Sequence, residues 1–408
     1  MQPRPLRKES QTSARFRRAP IGSATALGIG LFAALLSVLP ASAATSSALP
    51  KIHPGHVLYD VGIHSGVTRA QAVRAAVAAS SFTHYKATVT VGTKKYTYVI
   101  AGQNPAIKVT NPASTIKVLL VPLVMMFING DTWNPARKDS CDSGASALTR
   151  TQNSPIFKSQ SWTWGGTKIG TGQITDAFQR AEFWKYAKPG GINPGFGINL
   201  SVTTHRAVTV LVPPADEATN TIGCGNGLEG AANINWLDPF IRRTVIPSLK
   251  VSPATVPIFL LHNFVEYVGT ASNCCVLGYH NAFNTAAGVQ TYALGDYDNG
   301  AFFGFGASDI SALTHEVGEW QNDPYTTNPT PAWGNVGQVR GCQANLEVGD
   351  PLSGTTFSDT LNGFTYQPQE LAFFSWYYHQ RPSLGVNGWY SDQGKFKIPA
   401  ANCPPGGA

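Results

Sequence analysis

The chain has 408 residues, with 30 Lys and Arg against 23 Asp and Glu, a formal charge of +7. Six of those bases (Arg4, Arg7, Lys8, Arg15, Arg17 and Arg18) and one acid, Glu9, fall in the first twenty residues; beyond them the balance is 24 to 22, and no basic patch remains to recruit nucleic acid. Charged side chains form only 13% of the chain, about half the usual share, and abundant Gly and Pro favour short strands, many turns and a surface of Ser, Thr, Asn and Gln.

The basic start leads into an apolar, glycine-interrupted run and then Ala41-Ser42-Ala43. That succession has the plan of a secretory signal peptide over 1–43, exported by a Sec-type route and cleaved after Ala43. The mature chain is expected to be a secreted, extracellular or periplasmic monomer. Its six cysteines are an even number for an oxidising compartment, so disulfides are expected, with the adjacent Cys274 and Cys275 pairing with different partners. The apolar run at 118–128 is too short to span a bilayer and contains Pro122, so no membrane span is expected once the leader is gone.

Residues 44–112 read as an N-terminal strand-rich subdomain or a pro-segment, with a helix at 68–81 and a hairpin at 87–102. The second domain, 113–408, opens on a buried strand at 114–128, broken or edged at Pro122. A helix over 173–187 follows, with Ile174, Ala177, Phe178, Ala181 and Trp184 at helical spacing. Strands are predicted at 199–214, 255–264, 274–283 and 289–298, then helices at 308–322 and 369–380 in a loop-rich C-terminal part. Mixed strands with no regular βαβ alternation make the fold class α+β.

The helix over 308–322 carries HEVGE at 315–319. Ser308 or Asp309 is placed to cap its start, and Pro324 to stop it. Ile310, Leu313, Val317 and Trp320 form an apolar stripe. At about 100° per residue, His315 and Glu319 lie roughly opposite that stripe, one turn apart and pointing the same way. Two such side chains at i and i+4 offer two donors to one ion, and Glu316 then reaches a water beside it as general base. The plainer alternative is a solvated helix face with a weak His–Glu pair.

A third ligand must come from further along the chain. Glu347 and Asp350 compete for that place, the other serving as outer partner, with Asp350 also a candidate acceptor for the Nδ1–H of His315. His280 and His262 are further ligand candidates, each a strand histidine in the plainer reading, and Asp323 is a helix-end residue. Zinc is the first choice of ion, although one imidazole with two carboxylates also suits another divalent ion such as manganese or calcium. Tyr377, Tyr378, His379 and Arg381 are candidate donors to a developing oxyanion.

The spacing HEVGE…EVGD resembles that of zincin metallopeptidases with a glutamate third ligand, the second histidine being replaced. DAFQRAEFW, CCVLGYHNAF, HEVGEWQNDP and LEVGD together resemble secreted bacterial proteins that are in turn similar to the phosphate-induced/EXORDIUM-like family, whose HExxE, TNP and ExxD elements occur in the same order. The resemblance is discontinuous over roughly 112–352. It implies a zincin-like fold, with mixed strands packed on a backing helix and an HExxE active-site helix. It also implies metal ligation by His315, Glu319 and Glu347 or Asp350, with Glu316 as base.

Two functional readings follow. One is a secreted zinc endopeptidase acting on an extended peptide or protein, which polar strands such as 289–298 would bind by strand addition. The other is a non-catalytic extracellular or cell-wall protein with a structural or vestigial ion, its many Trp and Tyr stacking on cell-wall polysaccharide. A Ser-His-Asp hydrolase is disfavoured because no GxSxG elbow is present.

Overall fold

The computed structural model describes residues 48–53, 58, 59, 68, 71, 81–142 and 144–403. The segment expected to be a signal peptide and nearly all of the helix expected at 68–81 lie outside the described residues. The apolar runs become a curled, eleven-stranded mixed sheet. Its main strands are β1 (Ala113–Met126), β2 (Gly197–Thr204), β3 (Val208–Leu211), β4 (Glu217–Thr221), β5 (Leu228–Asn233), β6 (Thr255–His262), β7 (Phe264–Tyr267), β8 (Cys274–Thr285) and β9 (Gly288–Tyr297). The spatial order is β4-β5-β7-β8-β9-β6-β1, and β2 and β3 both pair with β1. β6 runs parallel to β9 and to β1, whereas β8 and β9 form an antiparallel hairpin. The molecule is thus a mixed α and β fold, in keeping with the expected class.

β1 passes through Pro122 without breaking. Its partner changes there, from β2, whose pairing ends at Leu120, to β3, whose pairing begins at Leu123. On the opposite edge, the ladder with β6 ends at the pair Leu260 and Pro122. The residue lacking an N–H therefore stands at a gap in one ladder and at the end of the other.

Two helices cover one face, α1 (Ile174–Glu182) and α2 (Ser311–Asn322). β8 and β9 pair Gly278 with Gly295, and α2 lies on that spot. A Cβ on Gly278 would come 2.8 Å from Glu316 Cγ, and one on Gly295 3.0 Å from Leu313 Cδ1, so the glycines let the helix sit directly on the sheet. Leu313, Val317 and Trp320 join one core with Ile258, Leu260, Ala282 and Ala293. The start of α2 departs from expectation. Ile310, not Ser308 or Asp309, is its N-cap and makes no side-chain cap bond. The Asp309 carboxylate instead accepts from the Gln367 N–H at 2.9 Å.

Polar contacts lock α1 to α2. Gln321 donates to Thr175 Oγ1 at 3.1 Å, Gln179 donates to Asn322 Oδ1, and Asn322 donates to Glu182 at 3.0 Å. Burial pushes the Glu182 carboxyl up to about 8, against the lowering effect of the Asn322 and Phe374 donors. A pKa raised on folding gives stability that is complete below the unfolded value, near 4.5, and is lost as pH rises toward 8. Glu182→Gln should remove this loss, gaining on the wild type by up to about 1.4 kcal/mol per pH unit across that window. Urea unfolding of both proteins at pH 5 and pH 8 checks it; an unchanged difference would count against the assignment.

The hairpin forms as expected, over His84–Val91 and Lys94–Ala101 with Gly92 at φ 59° in its turn. Phe82 packs on Trp320 and Tyr325, and Asn328 bonds both backbone groups of Val99. The described residues from Ala48 onward form one compact unit. The helix predicted over 369–380 shrinks to Phe374–Tyr377. The N–H groups of Glu370, Ala372 and Phe373 bond instead to the carbonyls of Thr355, Val348 and Tyr390, which holds 369–373 extended.

Three disulfides form: Cys141–Cys224, Cys342–Cys403 and the vicinal Cys274–Cys275. The last corrects the expectation of separate partners; its peptide bond is cis, and the two Cα atoms are 3.0 Å apart. No helix among the described residues is long and apolar enough to cross a membrane.

Candidate metal centre

Every residue of α2 is buried, so the expectation of a polar side away from the packed core is only half met. His315 and Glu319 do point the same way, with His315 Nε2 3.0 Å from Glu319 Oε1. Their side of the helix is covered, however, by the 347–350 turn and the extended 369–373 segment. The solvated-face alternative fails, because His315, Glu316 and Glu319 are at most 1% exposed.

Asp350 completes a triad with these two. One donor atom each from His315, Glu319 and Asp350 lies within 4.8 Å of the others. Asp350 Oδ1 is 3.6 Å from His315 Nε2, and its carboxylate also accepts from Gln338 at 2.5 Å and Gln343 at 3.0 Å. Glu319 Oε1 takes the N–H groups of Gly349 and Asp350 at 2.9 and 3.3 Å, which ties the helix to the turn. A Cβ on Gly349 would sit 2.4 Å from the His315 ring, so only glycine allows this approach.

The orientation of His315 follows from its outer partner. Gln369 donates its Nε2 to Gly349 O at 2.8 Å, so its Oε1 faces His315 Nδ1 at 3.1 Å and can only accept. That fixes Nδ1–H and turns Nε2 toward Glu319 and Asp350, whose charges favour a proton on it; an ion would take that proton's place. Gln369, not Asp350, is therefore the Nδ1 partner.

A second triad, His280, Glu316 and Glu319, shares the Glu319 carboxylate. His280 lies two residues beyond Gly278 on β8, so strand alternation turns it toward α2. Its Nδ1 is 3.3 Å from Glu316 Oε2 and 3.6 Å from Glu319 Oε2, while its Nε2 meets the Asp323 carbonyl at 3.2 Å. Glu347 stands further out, with Oε2 3.9 Å from His280 Nε2 and Oε1 accepting from Asn345 at 3.0 Å.

The electrostatics match this crowding. Burial opposes charge on His315, but Glu319, Asp350 and Glu316 together hold its pKa well above the usual value. Burial also opposes ionisation of Glu319, which His315 and His280 nevertheless bring below its ordinary value. Burial raises Asp350 to about 6, and it lowers His280.

Of the remaining candidates, Tyr377 alone among the four C-terminal ones bears on this cluster. Its hydroxyl donates to the Glu347 carbonyl, and burial and the charges of Asp350 and Glu319 raise its pKa. Tyr378 is spent on the Pro329 carbonyl at 3.0 Å, and His379 and Arg381 lie in more exposed positions. His262 belongs to a separate group with Asp139 and Asp142. Gln369 went unrecognised because the apolar run after it reads as helix.

Comparison of the chain with family models, curated proteins and solved structures finds no match. The donor set itself fits a divalent ion: an imidazole Nε2 that gives up its proton on binding, with two carboxylates, suits zinc, and equally a harder ion.

Proposed function

We propose that this chain is an exported, zincin-like, metal-dependent hydrolase, most simply a zinc endopeptidase. His315, Glu319 and Asp350 would hold the ion, with Glu347 an outer acid near His280 and Glu316 the general base. The observation that carries this reading is the joint placement of the ligand triad and Glu316, one helical position apart, around one shared carboxylate. An ion there would acidify water and polarise the scissile carbonyl. Glu316 would accept the water's proton; its Oε2 lies 3.3 Å from His280 Nδ1. Tyr377 anchors the Glu347 backbone through its hydroxyl and so holds the turn against α2. The resemblance of HExxE…ExxD to zincins and to EXORDIUM-like proteins supports the same assignment, and the disulfides support export. The substrate class is an extended peptide.

Burial favours a second reading. Every donor is at most 8% exposed, so a peptide reaches the site only if the 347–350 and 369–373 segments part from α2. An ion held there without such opening would be structural, in an extracellular or cell-wall protein that binds polysaccharide. Glu316→Gln separates the two. The hydrolase reading expects the variant to keep its metal and lose about 100-fold or more in cleavage of unfolded protein substrates. A metal-loaded wild type no more active than the variant establishes the structural reading instead.

A further inference from the structure

A second group of acids lies in the sheet, apart from the HExxE helix. Glu229 opens β5, Asp296 and Asp298 flank the end of β9, and Glu266 lies on β7. All four are at most 1% exposed. The chain turns at Asn263, whose φ is 49°: its N–H reaches the Tyr297 carbonyl at 3.3 Å, and its carbonyl takes the Gly230 N–H at 3.0 Å. This crossing brings the end of β9 against the start of β5, so that one oxygen each of Glu229, Asp296 and Asp298 lies within 4.8 Å of the others.

A cluster of acids alone would mean little. Here the hydrogen-bonding pattern adds an independent fact. Both carboxylate oxygens of Glu229, wholly buried and aimed into the cluster, have no hydrogen-bond partner, and neither do those of the adjoining Glu266. Asp296 uses one oxygen on the Phe264 N–H at 3.2 Å and Asp298 one on the Gly300 N–H, and the other oxygen of each is unpartnered. No Lys or Arg among the described residues forms an ion pair with any of the four. His262 faces Asp142 at 3.4 Å and Asp139 at 4.0 Å. Protonation would remove charge but would add hydroxyl donors, and Glu229 and Glu266 have no bonded acceptor for them. A cation satisfies charge and lone pairs together.

We propose that Glu229, Asp296 and Asp298 bind a hard divalent cation of the calcium type. The donors are all oxygen, which suits calcium rather than zinc. A cleft lined by Asp142, Arg150, Tyr297 and Asn299 adjoins the group at Asp298. The ion fastens β5 to the end of β9 at the Asn263 crossing, where Asp296 also accepts from the first N–H of β7, and its role is structural. It is independent of the HExxE site.

The test is thermal unfolding of the full exported chain, dialysed against a chelator and titrated with calcium chloride. Calcium at about 100 times its Kd is expected to raise the wild-type Tm by roughly 3–4 °C. Glu229→Gln/Asp296→Asn should melt at or above the calcium-free wild type and show no calcium shift. If that double variant does not fold, Asp298→Asn serves in its place, with at least tenfold more calcium required for the same shift. A wild type unmoved by calcium, magnesium and manganese overturns the proposal, as does a variant with an unaltered calcium response. Sensitised terbium luminescence gives a second readout: it should be lost in the same variants and kept in Glu316→Gln, which alters only the other site.

Discussion

Glu319→Ala is expected to abolish metal binding at the HExxE helix and to destabilise the fold by roughly 3–6 kcal/mol. Three buried groups lose their acceptor at once: the N–H of Gly349, the N–H of Asp350 and the ring of His315. Each such loss typically costs about 1–3 kcal/mol. Glu319→Gln separates the two roles. Its amide oxygen still accepts from the 349–350 turn, so most of the stability should remain, but with the charge gone metal affinity should fall by about 100-fold. Urea unfolding and metal titration of both variants check this. Equal metal affinity in Glu319→Gln and wild type would show that Glu319 only ties the helix to the turn.

Loss of the Cys141–Cys224 bridge should have the next largest effect. It closes a separation of 83 residues, against 61 for Cys342–Cys403. On chain-entropy grounds Cys141→Ser/Cys224→Ser should lose about 4–5 kcal/mol, and the second bridge slightly less. The bridge joins the loop bearing Asp139 and Asp142 to the turn between β4 and β5, where Gly225 N–H donates to Ser140 Oγ at 2.7 Å. Urea midpoints of the two double variants give the comparison. A loss under about 1 kcal/mol would mean that the loop is held in place without it.

How much of this was legible in the sequence depended on distance along the chain. The i, i+4 pair on α2 needs only helical geometry, and His315 and Glu319 meet as their spacing predicts. The acids of LEVGD were identifiable as candidates, but choosing between them required the turn itself, which brings Asp350 to His315 and leaves Glu347 beside His280. His280 showed a usable signal: it shares a strand face with Gly278, and a glycine in a strand marks a close approach. The covering of the polar side of α2 was not legible. It depends on Gln369, 54 residues beyond His315, in a segment whose apolar run imitates a helix while its N–H groups serve other strands. Pro122 misled for a related reason, since the change of partner beside it is visible only in three dimensions. Glu229, Asp296 and Asp298 stand far apart along the chain with no shared motif, and only the crossing at Asn263 makes them a group.

The most direct test of the central claim, that the HExxE helix is a metal centre, is element-resolved mass spectrometry on the purified protein after equilibration with zinc and removal of excess. The account predicts close to one zinc per wild-type chain and less than about one-tenth as much in Glu319→Gln, with both proteins folded. A folded wild type without near-stoichiometric zinc or another transition metal, or equal metal content in the two proteins, would contradict it.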